Sequence, residues 1–461
     1  MKSFSNFFDQ EFSNIDLKDE RLTKRAIAIG NRLVRMPGSC IQEVFGSKNE
    51  ARCVYDFFSN PKINWMKLLG AHQDRTVERI YASQDNYIYL IQDSTFYNYT
   101  EHKAKIDIGV IGKQGRFTQF GFLQHTALCV SSHGLPLGIL ELDFMGYEDD
   151  LKSTSYRKGF PDIASSRWRR FLSEAMTKLK GIDKDIIMLC DREADFFEFL
   201  DDLHGSSCKY VIRCKWDRPT GESNRAKKDK FSTLLEKAPT LGEISLITID
   251  PNTHEETQKL FYLKTLDNIT LPPVHRGAGH RQNALAPIKL NVVEASDKEN
   301  KWLLLTNLPV KTLEDAVFIV QSYKIRWHIE SFHKVLKTAY KAEQIYLHSS
   351  RGAIQNLLTV INIAAYQTYS LIHQARKKDE IPASCYFSTK EIEALSISLF
   401  KKKPDTCQNI SLQEIYYQIA ELGGYKNKNN KYPPGILTIY RGIKKLNNIT
   451  EMYDSMMSIK T

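Results

Sequence analysis

No two cysteines in this 461-residue chain are spaced as CxxC; the eight, at positions 40, 53, 129, 190, 208, 214, 385 and 407, are scattered. That excludes a zinc ribbon and reads as reduced structural thiols in a cytoplasmic compartment. No window approaches the ~18 uncharged apolar residues of a membrane span, and the first residues carry no apolar signal core. Internal repeats are absent, and low complexity is confined to the short basic loop KNKNNKYPPG. The 42% hydrophobic and 26% charged fractions are those of an ordinary globular protein, long enough for about three domains. A net charge of +10 favours a polyanionic partner over a neutral one, as mildly basic composition does generally.

Along the chain, DERLTKRAIAIGNRLVRMPG reads as an amphipathic basic helix ending at Pro37-Gly38, with Arg21, Arg25 and Arg32 on one face and Arg35 close by. Ser47 with Glu50 opens a second helix. Together they suggest a small DNA-binding module, although a solvated charge face on a helical domain has the same pattern. YIYLIQDSTF then begins as a strand, with Asp93 just past its apolar run and expected at the strand's exit. FLQHTALCVSSHGLPLGILELDFM reads as two strands about a His133-Gly134 turn. A helix with Trp168, Phe171, Leu172, Ala175, Met176 and Leu179 at core spacing follows, and DIIMLC is a strand with Asp191 at its exit. The expected fold is mixed α/β. From about residue 216 to 300, LGEISLITID, QKLFYLKTL and PIKLNVVEA look like strands of a β-rich insertion, closing at KWLLLTNLPV. Beyond residue 350 the chain reads as mostly helical, with capping boxes at Ser388/Glu391 and Ser411/Glu414.

The most informative stretch is YKIRWHIESFHKVLK, residues 323 to 337. As one continuous helix it sets Tyr323, Arg326, Glu330 and Lys337 within about a 60° arc, flanked by Trp327 and Lys334. Ile325, Ile329, Phe332 and Leu336 form the opposite, core-facing stripe. Asp93, Asp191 and Glu330 could converge, and carboxylates without thiols or imidazoles suit Mg²⁺ or Mn²⁺. Two such ions would serve phosphodiester cleavage, and the cations beside Glu330 would then hold a phosphate backbone. Singly, each acid has an ordinary alternative: a turn residue or helix cap for Asp93 and Asp191, an (i, i+4) ion pair with Arg326 or Lys334 for Glu330. His125, His133, His328 and His333 show no ligand spacing, and His333 is expected at the rim.

Taken together, Tyr323-x2-Arg326-x3-Glu330-x6-Lys337, IQDST, CDREAD and KWLLLT resemble the DDE cut-and-paste transposases, specifically a bacterial insertion-sequence family with a YREK signature. The resemblance also takes in LKDERLTKRA near the start and IAELGGY near the end. It implies an RNase H-like catalytic domain (residues 71–368) interrupted by the β-rich insertion. This would lie between a helical end-binding domain (1–70) and a helical dimerisation domain (369–461). It further implies that Asp93, Asp191 and Glu330 bind two Mg²⁺ (or Mn²⁺) ions, and that Tyr323, Arg326, Lys337, Arg213 and Lys215 contact DNA near the cut. Trp302 and Trp327 would stack on or brace a flipped base, Trp302 having the alternative of an ordinary core residue. Arg21, Arg25 and Arg35 would recognise transposon ends. Trp216 stands where the family pattern has a histidine. The implied partners are double-stranded DNA, as transposon ends and target, and a second copy of the chain. The implied setting is the bacterial cytoplasm and nucleoid. Two rivals remain at this level: a plain metal-dependent nuclease, and a transposase-derived DNA-binding protein that has lost catalysis.

Overall fold

The N-terminal helices begin where side chains can cap them. Asp19 accepts from the Arg21 N–H at the start of α2 (Glu20–Arg35), Ser47 from the Glu50 N–H at α4 (Lys48–Ser59), and Asn64 from the Met66 N–H at α5 (Trp65–Ala82). Short α1 (Phe7–Glu11) and α3 (Ile41–Phe45) complete this part. The computed structural model describes residues 6–101, 108–114, 117–145, 166–221, 229–249, 256–273, 285–344, 350–377, 381–401, 410–426 and 433–459. The expected loop VHRGAGHRQN and most of KNKNNKYPPG lie outside them.

Strands β1 (Tyr87–Asn98), β2 (Val110–Gln114), β3 (Phe117–Ser131) and β4 (Pro136–Met145) precede α6 (Ser166–Lys178), β5 (Asp185–Cys190), α7 (Phe197–Gly205) and β6 (Lys209–Arg213). Next come α8 (Phe231–Lys237), β7 (Gly242–Ile249), β8 (Glu256–Leu271), β9 (Ile288–Ser296) and β10 (Lys301–Thr306). The remaining helices are α9 (Leu313–Ile325), α10 (Trp327–Lys334), a π-helical turn (Val335–Ala339), α11 (Arg351–Arg376), α12 (Thr389–Phe400), α13 (Leu412–Leu422) and α14 (Ile436–Ile459).

The described strands form one ten-stranded sheet. Its core runs β4-β3-β1-β5-β6: β4, β3 and β1 are antiparallel neighbours, and β5 and β6 lie parallel to β1. Two parallel crossovers beside an antiparallel meander, with helices covering the faces, make this an RNase H-like core of mixed α+β class. The insertion lengthens the same sheet rather than forming a separate one. β10 returns to pair antiparallel with β6 (Leu304 opposite Arg213), and β9, β8 and β7 follow outward.

Two apolar layers cover the sheet. On one side Trp168, Phe171 and Ala175 of α6 pack with Met188, Leu200 and Ile212. On the other, α11 is buried along nearly its whole length and touches α2, α4, α5 and β4, joining N-terminal, central and C-terminal helices in one core. The expected domain limits at residues 70 and 368 thus fall inside α5 and α11. Gly138 shows how closely α5 lies on β4: at φ +153°, a Cβ there would stand 2.0 Å from Thr76 Oγ1.

Two local expectations are corrected. Asp93 lies within β1, which runs on through Asn98, because Ser94, Thr95, Phe96 and Tyr97 continue the ladder with β3. Residues 323–337 are not one regular helix. α9 ends at Ile325, α10 starts at Trp327, and the π turn places Val335–Ala339 out of 3.6-residue phase.

Candidate active site

Parallel pairing brings the first two acids together. β1 and β5 are in register from Tyr87/Asp185 to Ile91/Leu189, and the same offset carried two residues further sets Asp93 beside Asp191. Asp191 leaves the end of β5 as expected and caps the following 3-10 turn, its Oδ1 accepting from the Glu193 N–H at 2.8 Å. Burial first, and the neighbouring Asp191 carboxylate second, push Asp93 up to about 7. The Arg326 guanidinium offsets only part of this, so the paired acids remain short of positive charge.

The third acid is joined through arginine. Arg326 Nη1 lies 3.5 Å from Asp93 Oδ2, and its Nη2 donates to Glu330. Among the described residues no three carboxyl groups stand close enough to hold an ion as they are, since this guanidinium separates Asp93 from Glu330. The donor set nevertheless fits a hard divalent cation: oxygen ligands only, with one carboxyl destabilised by its neighbour.

Basic and aromatic groups enclose the acids. Tyr323 is buried, with the Arg326 guanidinium 5.4 Å from its ring centroid. Burial pushes its hydroxyl up, while Arg326 and Arg213 pull it down. Arg213 Nε, Tyr323 Oη and Arg326 Nε are buried without a partner in hydrogen-bonding geometry. The Tyr323 hydroxyl lies within reach of both guanidiniums, and two arginines beside a buried hydroxyl favour an anion such as a phosphate. Trp302 is half-buried and edge-on to Tyr323, with ring centroids 5.6 Å apart. Trp327 is 53% exposed, and Arg326 approaches its ring to 5.8 Å.

Other expected residues stand apart from this cluster. Lys337, in the π turn, lies 3.9 Å from Glu343, whose Oε1 accepts from the Asn98 N–H at the far end of β1. Lys215 is exposed two residues beyond Arg213. On α2, Arg21 is exposed and pairs with Asp19, Arg25 pairs with Glu50 at 3.3 Å, and Arg35 turns inward to Asn6. His333 is not a rim residue. It is buried, 3.4 Å from Thr126, and burial lowers it to about 3. His125 was the residue that spacing missed: buried on β3 opposite Ser94, it contacts Ser94 Oγ through Nδ1 at 2.8 Å and Gln92 through Nε2 at 3.0 Å. It thereby holds the residues on both sides of Asp93, a role visible only once β1 and β3 are paired.

Two family models match this chain. Residues 5–63 match transposase DNA-binding, which takes in α1 to α4. Residues 165–367 match the transposase DDE domain, which contains Asp191 and Glu330, while Asp93 precedes it. No described helix is long and apolar enough to cross a membrane. The two matches, a transposase DNA-binding segment followed by a transposase DDE segment, are consistent with a DDE transposase.

Proposed function

We propose that the protein is a cut-and-paste transposase of the YREK insertion-sequence type, similar to the transposase of transposon five. The observation that carries this reading is the juxtaposition of Asp93, within β1, and Asp191, at the end of the parallel strand β5, with Arg326 tying Asp93 to Glu330. Asp93, Asp191 and Glu330 would hold Mg²⁺ or Mn²⁺, which supplies an activated attacking oxygen and a stabilised leaving oxygen. Arg326 would give up its carboxylate partners when ions bind and turn its charge toward the scissile phosphate, with Tyr323 and Arg213 donating beside it. Lys337, Lys215 and Trp327 would follow the DNA away from the cut, and Trp302, braced on Tyr323, would receive a flipped base.

Water attacks the phosphodiester at the transposon end and frees a 3′ hydroxyl. That hydroxyl attacks the opposite strand to give a hairpin, water reopens it, and the 3′ end joins target DNA. Each step is an in-line displacement, so one site serves all of them. The N-terminal domain binds the terminal repeats through Arg21 and Arg25, with Arg35 beneath them. Synapsis uses a homodimer; Met452, Met456 and Ile459, all exposed on one face of α14, support an interface there.

The test compares Asp93→Ala, Asp191→Ala and Glu330→Ala in a Mg²⁺ nicking assay and a gel shift on end DNA. Each variant should lose nicking and retain binding; nicking by any of them removes that residue from the site. A labelled 3′ end joined to a second duplex distinguishes a transposase from a plain nuclease, and nicking by the wild type distinguishes it from a silent DNA-binding protein.

A further inference from the structure

Asp195, one residue past the 3-10 turn that Asp191 caps, has a buried carboxylate committed to a single task. Its Oδ2 accepts from the Lys215 N–H at 2.6 Å and the Trp216 N–H at 3.3 Å, and its Oδ1 accepts from Arg218 Nε at 3.0 Å and Nη2 at 2.6 Å. Arg218 is buried as well. Asp217 is fixed separately by the N–H and hydroxyl of Ser232, at 3.0 and 2.7 Å. A buried ion pair contributes little net stability once desolvation is counted; what this one provides is a turn, 215–218, held at several points. On that rigid turn Trp216 is 58% exposed, with Lys215 Nζ 5.1 Å from its ring centroid.

Beside it opens a cavity of about 320 Å³, bordered by Trp216, Arg192, Lys215 and Lys301 above Leu235 and Leu303. Lys301 is shared with Glu294; Arg192 and Lys215 are exposed. Arg192 directly follows Asp191, so the cavity adjoins the acids. It lies on the other face of the sheet from the signature helices. Lys301 and Leu303 of β10 line it, while Trp302 between them faces Tyr323.

We infer that this cavity binds an unpaired nucleobase of DNA, stacked on Trp216, with its phosphates on Arg192 and Lys215. The inference rests on the reading of DNA as substrate. A base within a duplex has both faces covered by its neighbours, so a lone fixed indole flanked by cations suits a base that has left the stack. It is a second aromatic seat, on the opposite face of the sheet from Trp302.

The experiment measures fluorescence anisotropy, in EDTA to prevent cleavage, with a blunt duplex, the same duplex bearing a short single-stranded thymidine tail, and that tail made abasic. Trp216→Ala should weaken binding of the thymidine-tailed duplex about tenfold, with blunt and abasic-tailed duplexes within about twofold of wild type. Trp216→Phe should recover most of the loss. Equal losses on thymidine and abasic tails, or no loss on either, overturn the inference and leave the transposase reading standing. A wild-type protein that binds none of the three overturns both.

Discussion

Replacing Glu11 with glutamine keeps the side chain's shape and removes one buried charge from the joint between the N-terminal helices and the central sheet. Glu11, on α1, is 2% exposed, and the Arg79 guanidinium of α5 grips it with two hydrogen bonds of 3.1 Å. His72 Nε2 accepts from the Ile139 N–H of β4 at 2.9 Å, so its Nδ1–H donates to Glu11. Burial alone would raise the Glu11 carboxyl, but Arg79 and His72 outweigh it and hold it at about 2 rather than the ordinary 4.5. That gap is worth about 3 kcal/mol. Breaking a buried pair costs about 3–5 kcal/mol, and Arg79, with 29% of its side chain exposed, belongs at the lower end. The two routes agree. Since the folded value is depressed, the contribution is complete above pH 4.5 and is lost as pH falls toward about 2. Hydrogen exchange of α1, compared between Glu11→Gln and wild type at each pH, reads this directly. Exchange should be on the order of a hundredfold faster at pH 7, a ratio unchanged at pH 5 and about tenfold smaller at pH 3.5. Unaltered protection at pH 7 would show that the network does not seat α1. A ratio independent of pH would show that charge is not its source.

Asp93→Asn supplies the opposite pH dependence. Asp93 is raised to about 7, so its favourable contribution is complete below the ordinary 3.8 and is lost as pH rises through about 7. In metal-free buffer the variant's stability gain should therefore be greater at pH 8 than at pH 5 by on the order of 2–3 kcal/mol, and Mg²⁺ should stabilise only the wild type; a constant gain across pH refutes the juxtaposition. Neutralising Arg21 and Arg25 should flatten the log–log salt dependence of end binding by up to about two units, and adding Arg35→Gln should lower the melting temperature with little further change in slope. An unchanged slope for the first pair would remove α2 from the end-binding face. Trp302→Ala should leave nicking near normal and slow hairpin formation about thirtyfold, equivalent to ~2 kcal/mol, with recovery on an end carrying an abasic site at the flipped position. Equal loss of both steps would make Trp302 a brace for Tyr323 alone.

How much could be read from sequence depended on how local each signal was. Asp191 at the end of DIIMLC, the β3–β4 turn and the Ser388/Glu391 capping box are each written within a few residues, and the structure has them where expected. Asp93 was misplaced because Gln92, Asp93, Ser94 and Thr95 look like the polar end of a strand. Their partners, Gln124, His125, Thr126 and Ala127, come some thirty residues later on β3, and only pairing shows that the ladder continues. The insertion's place in the sheet was hidden for the same reason, since β10 meets β6 across about ninety residues.

Charge was the least legible property. Helical projection put Arg21, Arg25 and Arg32 on one face with Arg35 nearby, yet Arg21 stands in solvent, Arg25 pairs with Glu50 of α4 and Arg35 turns to Asn6. Arg326 carries the same lesson into the candidate site. Its spacing from Glu330 was equally that of a routine surface pair, but the guanidinium is buried and reaches a second carboxylate, Asp93, on a different element. A charge that links two acids across elements is held where burial makes each interaction strong, and it is released when another cation takes over the carboxylates or a phosphate replaces them beside the guanidinium. Under the proposed function Arg326 would couple metal loading to DNA backbone binding: ions that take its carboxylates would release the guanidinium to a phosphate, and a phosphate that takes the guanidinium would release the carboxylates to ions.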